Sequence, residues 1–141
     1  LGTMTGAAIS VTSSTANHYC GQHSLEVTTT FIGTSGNTTK AEVLIDLPPN
    51  LQNLSGKTIT IHVAAVPDAM PSAYLALTLR TAVGDMTISP SVRPLTGDWK
   101  TQTYEVPSND GGTTMVTSLA FQMFDTNGYQ GKLYIDDVDI H

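Results

Sequence analysis

Tyr74-Leu75-Ala76-Leu77-Thr78-Leu79-Arg80-Thr81 alternates strictly, with leucine at every second position and polar, aromatic or small side chains between. A period of two is the signature of a half-buried β-strand, because successive side chains leave opposite faces of the pleat. Leu75, Leu77 and Leu79 therefore form a core side, and Tyr74, Thr78 and Arg80 point outward. Thr58-Ile59-Thr60-Ile61-His62-Val63 repeats the pattern, with Ile59, Ile61 and Val63 inward. So does Leu119-Ala120-Phe121-Gln122-Met123-Phe124, where Leu119, Phe121 and Met123 go inward and Gln122 and Phe124 outward. An outward Phe among polar neighbours is a candidate ligand contact.

The same reading extends along the chain. Strands are expected near 8–13, 24–30, 41–47, 58–66, 74–81, 86–92, 101–106, 119–125 and 132–140. Gly-, Asn- and Pro-rich turns separate them, among them Pro48-Pro49-Asn50, Val83-Gly84-Asp85 and Asn127-Gly128. Gly and Asn accept positive φ there, and Pro cannot continue a ladder. No stretch has helical periodicity, and 47–54 holds one turn at most. Nine short strands at this spacing predict an all-β fold, a two-sheet antiparallel β-sandwich or jelly roll. With no repeat and no linker, residues 1–141 read as one domain.

Composition narrows the function. Only 13% of residues are charged, and the formal charge is −6, so no basic surface exists to displace counterions from a nucleic acid. No apolar run approaches the eighteen or more residues of a membrane helix. The chain opens at Leu1 without a signal-like segment and reads as a module of something larger. Cys20 is the single cysteine, so no internal disulfide forms. Asn37-Thr38-Thr39 and Asn53-Leu54-Ser55 are glycosylation sequons.

Gly131-Lys132-Leu133-Tyr134-Ile135-Asp136-Asp137-Val138-Asp139-Ile140 carries a carboxylate, Asp136, into a strand position expected to be buried. A buried carboxylate needs a cation, an arginine or several backbone donors. With six Lys and Arg in the whole chain, a bound metal ion is one candidate partner. By strict alternation Asp136 faces opposite to Asp137 and Asp139, so the acidic run is not a catalytic pair. His18, Cys20 and His23 have zinc-like spacing but lack a fourth soft ligand, and Cys20 is expected to be a small buried residue. No nucleophile motif or phosphate loop appears.

Four segments in order, Gly21-Gln22-His23-Ser24-Leu25-Glu26-Val27, Leu54-Ser55-Gly56-Lys57-Thr58, Thr96-Gly97-Asp98-Trp99-Lys100 and Leu133-Tyr134-Ile135-Asp136-Asp137-Val138, resemble the carbohydrate-binding modules of the family 4, 9, 16 and 22 type. These are jelly rolls appended to secreted glycoside hydrolases. The resemblance implies one sheet of strands 24–30, 132–140, 58–66 and 101–106, and a second, concave one of 41–47, 119–125, 74–81 and 86–92. The second sheet then gathers Tyr74, Thr78, Arg80, Gln122 and Phe124 in one groove, with Glu42 or Leu44 beside them. The aromatic rings would pack on a pyranose face while Gln and Arg serve its hydroxyls.

The resemblance further implies a structural calcium on Asp136, with backbone carbonyls near Gly21 and His23 as further oxygen ligands. Trp99 is expected to pack structurally, and Tyr129 either to reach the groove rim or to cap the sandwich. The function implied is a secreted, noncatalytic, monomeric module. It would bind a single β-glucan, xylan or mannan chain and concentrate a covalently linked catalytic domain on it. A spacer or protein-interaction domain of the same fold, and a small jelly-roll hydrolase or lyase, are the alternatives.

Overall fold

The computed structural model describes residues 7–31, 39–68, 73–93, 95–108, 111–125 and 128–141. Nine strands follow one another: β1 Ala7–Ser14, β2 Ser24–Phe31, β3 Thr39–Asp46, β4 Thr58–Val66, β5 Tyr74–Thr81, β6 Gly84–Val92, β7 Lys100–Glu105, β8 Val116–Asp125 and β9 Gln130–Ile140. The two strands with the cleanest alternation, β4 and β5, match their expected bounds at both ends. Single 3₁₀ turns at Pro49–Leu51 and Gly111–Thr114 interrupt the β pattern. The turns expected at 33–37 and at Asn127, and the sequon at Asn37, lie outside the described residues.

The strands pair antiparallel into a five-stranded sheet, β1-β2-β9-β4-β7, and a four-stranded sheet, β3-β8-β5-β6. This is the expected sheet membership, with β1 added at the edge of the larger sheet. Both sheets turn one apolar face inward. Ile59, Ile61 and Val63 of β4 and Leu75, Leu77 and Leu79 of β5 are all at most 1% exposed, and Phe121 joins them from β8. Each such side chain contributes about 1.5–3 kcal/mol of burial. That core makes the sheet register costly to shift, because a one-residue slip would turn every leucine to solvent.

Tyr129 closes one end. It is 4% exposed, and its hydroxyl donates to the Pro67 carbonyl at 2.9 Å. A Cβ on Gly131 would stand 2.6 Å from the Tyr129 ring and 2.8 Å from the Val66 carbonyl, so this position takes glycine for lack of space. Of the two placements open to Tyr129, the sandwich cap is the one adopted. Among the described residues, no helix is long and apolar enough to cross a membrane.

One expectation fails for a local reason. Between β4 and β9 the register shifts: His62 pairs with Asp136 but Thr60 pairs with Asp139, leaving Asp137 and Val138 together opposite Ile61. Asp137 has φ +49°, the left-handed conformation of a bulge residue. The inserted residue reverses the alternation, so Asp136 and Asp139 leave the same outward face, alongside His62 and Thr60. Asp136 is accordingly half-buried on the outside of the five-stranded sheet, not in the core.

Candidate functional site

Cross-strand register builds the outer face of the four-stranded sheet in rows. Lys40, Phe124 and Tyr74 form the first; Glu42, Gln122 and Ala76 the second; Leu44, Ala120, Thr78 and Thr87 the third; and Asp46, Ser118, Arg80 and Asp85 the fourth. All six residues expected in the groove, Tyr74, Thr78, Arg80, Gln122, Phe124 and Glu42, stand on this one surface. The small side chains of Ala76, Ala120 and Ser118 keep its middle low between the aromatic row and Arg80.

The middle rows are knitted together. Glu42 is 1% exposed, and an ionised carboxylate so placed requires compensation. Gln122 donates from Nε2 to Glu42 Oε2, Arg80 reaches the same oxygen at 2.5 Å, and Lys40 Nζ lies 3.4 Å away. Arg80 thus spans two strands and two rows to reach Glu42, while its other nitrogen donates to Asp85. Thr78 donates to Gln122 Oε1 at 3.1 Å and lies 3.0 Å from the Thr87 hydroxyl. Burial alone would push the Glu42 carboxyl up. The hydrogen bonds from Arg80 and Gln122, with the Lys40 and Arg80 charges, outweigh it and hold the group below the usual carboxylate range.

The first row is aromatic. Tyr74 and Phe124 stack at 4.9 Å between centroids and 16° between planes. Arg93, just past β6, sets its guanidinium 3.9 Å over the Tyr74 ring. Sequence reasoning missed Arg93, Lys40, Asp85 and Thr87. The last three could have been found from their alternation on β3 and β6. Arg93 could not, since a register shift between Leu75 and Leu77 decides what β6 places beside Tyr74. This surface offers two rings, the amide of Gln122, and charged and hydroxyl groups within one span, which is chemistry suited to a polar ligand with an apolar ring face.

On the opposite sheet, the residues linked to calcium are arranged otherwise. Asp136 Oδ2 accepts from the Tyr19 and Cys20 main-chain N–H groups at 2.8 and 3.1 Å, and Oδ1 accepts from the Asp137 N–H at 2.8 Å. Gly21 takes positive φ (+64°) in the same loop, and His23 Nδ1 meets the Ser13 hydroxyl at 3.3 Å. Both Asp136 oxygens thus face donors, a set that suits an anion and not a cation. Among the described residues, no group of three or more His, Cys, Asp or Glu could hold a metal ion. As arranged, these residues do not fit calcium, and the carboxylate takes the backbone-donor alternative.

Cys20 is exposed, contrary to the expectation of burial. Partial desolvation and the charges of Asp137 and Asp136 push its thiol up, away from the thiolate that zinc requires. Trp99 donates from Nε1 to Asn17 Oδ1 at 3.2 Å and meets Tyr19 edge-on at 5.9 Å. Tyr19 in turn stacks on His62 at 3.6 Å and 9°. Trp99 therefore pins the 15–23 loop to the five-stranded sheet, on the far side of the molecule from the aromatic row.

No family model and no curated relative matches the sequence. Solved structures do. One, from work on promiscuous specificity in carbohydrate-binding modules of the β-sandwich superfamily, aligns at TM-score 0.79 and 20% identity, over all of this chain and 56% of its own length. The family 22 xylan-binding domain from Paenibacillus barcinonensis aligns at TM-score 0.59 and 14% identity, covering 99% of this chain and 84% of that one. A family 28 module specific for non-crystalline cellulose gives 0.64 and 12%, covering 96% and 88%. The chain spans little over half the first of these structures, and at such identities the likeness is one of fold. The protein has the β-sandwich fold of the carbohydrate-binding modules.

Proposed function

We propose that this chain is a noncatalytic module that binds a single polysaccharide chain across the outer face of its four-stranded sheet. The observation that carries the reading is the cross-strand pairing, in which Gln122, Thr78 and Arg80 follow the Tyr74–Phe124 stack in successive rows of one sheet face. The fold shared with xylan- and cellulose-binding modules supports it. The module would be secreted, monomeric and covalently joined to a glycoside hydrolase that it holds on the substrate. No aromatic strip of the length a crystalline surface requires is present among the described residues, so a soluble or amorphous chain fits better. A spacer without sugar affinity is the second reading. It draws on the fact that Gln122, Arg80 and Glu42 already satisfy one another.

Affinity electrophoresis through gels containing xylan, mannan, β-glucan and acidic polysaccharides separates the two. Retardation by at least one polymer is expected. Gln122→Ala and Phe124→Ala should each weaken that binding by roughly 1–3 kcal/mol, with circular dichroism confirming the fold. Unretarded migration in every gel would establish the spacer reading. Release of reducing sugar from any polymer would overturn the noncatalytic assignment.

A further inference from the structure

The chain has six Lys and Arg against twelve Asp and Glu, yet three of the six stand on or beside the proposed binding face: Lys40, Arg80 and Arg93. Their placement along it is uneven. Arg80, toward the far end, is matched by Glu42 and Asp85, with Asp46 in its own row. The aromatic row has a cation at each end, in the order Lys40, Phe124, Tyr74, Arg93. Near this end, Lys40 shares Glu42 with Arg80, and Asp125, next to Phe124 on β8, is 1% exposed on the inward side of the strand with Phe121 and Met123. Arg93 is exposed and forms no ion pair among the described residues; its guanidinium carbon stands 3.9 Å from the centre of the Tyr74 ring. In a protein of net charge −6, the stacked rings thus lie between two cations on the outer face, while Asp125 is turned inward.

We propose that the glycan bound here is acidic, a chain of pyranoses bearing carboxylate groups. The assignment rests on the binding face proposed above and names its ligand class. A uronate spanning the first row sets its ring against the aromatic pair and its carboxylate on the Arg93 guanidinium, whose planar fork matches two carboxylate oxygens. Lys40 stands at the other end of the row for a neighbouring unit. Neutral xylan, mannan and β-glucan leave Arg93 without an anion to meet.

The test compares the intact chain's affinity for polygalacturonate and alginate with that for neutral xylan, mannan and soluble β-glucan, and for a sulfated galactan. The expected result is binding to a polyuronate at least ten-fold tighter than to any neutral chain, weakening steadily as salt rises. Arg93→Gln and Lys40→Gln should each reduce polyuronate affinity by about ten-fold, the loss of one charge-assisted bond, with melting curves confirming folded variants. Binding to a neutral chain with none to polyuronates overturns this inference and leaves the binding face standing. Equal binding of the sulfated chain overturns the carboxylate assignment. Failure to bind every polymer removes the binding face and the inference together.

Discussion

Glu42 shows how much one side chain can decide. It lies on an outward strand face and yet is almost wholly enclosed, because Gln122, Arg80 and Lys40 converge on it. Its carboxyl is held down, and so is that of Glu26, chiefly by the hydrogen bonds from Lys132 at 2.7 Å and Ser14 at 2.8 Å. A carboxylate whose folded pKa is lowered stabilises the fold fully above its unfolded value and loses that contribution as pH falls through the folded one. Stability should therefore hold from neutral pH to about 5 and decline below about 4.3, the unfolded glutamate value. Urea titrations across that range would show it, and Glu26→Gln should flatten the decline. A wild-type profile flat down to pH 3 would contradict the network. Tyr104 gives a second test. Its ring is fully buried on β7, and its hydroxyl finds no partner among the described residues. Replacing it with Phe removes an unmet donor at nearly constant volume, so the variant should be as stable as wild type or up to about 1–2 kcal/mol more stable. A loss of stability would reveal a partner for that hydroxyl.

At the scale of the element, legibility depended on whether a strand kept its period. β5 alternates through Arg80 and β4 as far as Val63, and their bounds and inner faces followed from the residues alone. β9 does not, because Asp137 takes a left-handed conformation that Asp tolerates but does not signal. That bulge lets both Ile135 and Val138 pack toward the core, so the phase read from Val138 and Ile140 does not reach Asp136, which lies on the outer surface where the 15–23 loop delivers two N–H groups to it. The closure of outward Gln122 and Glu42 was equally invisible, since it arises from pairing between strands 80 residues apart in sequence. The loop's anchorage is testable. Asp136→Ala should cost about 1–3 kcal/mol through the loss of charge-assisted bonds to main-chain donors. Thermal melts of the wild type should coincide in EDTA and in calcium. A calcium-dependent rise in Tm would show that the loop rearranges to hold the ion.

For the molecule as a whole, two outer faces carry aromatic residues, and they differ in what they offer. On the five-stranded sheet, Tyr19 and Trp99 are engaged with His62 and Asn17 and hold a loop in place. On the four-stranded sheet, the Tyr74–Phe124 stack stands beside the Gln122 amide, with the Arg93 guanidinium over the Tyr74 ring. The inward leucine rows fix which residues reach each surface, so the location of a ligand reports directly on the register of the fold. Titrating the isotope-labelled protein with oligosaccharides cut from whichever polymer retards it, and following backbone amide shifts by NMR, locates that ligand. The account predicts perturbations concentrated on β3, β5, β6 and β8 around Lys40, Gln122, Phe124, Tyr74 and Arg93. Shifts confined to the Tyr19, His62 and Trp99 surface would contradict it.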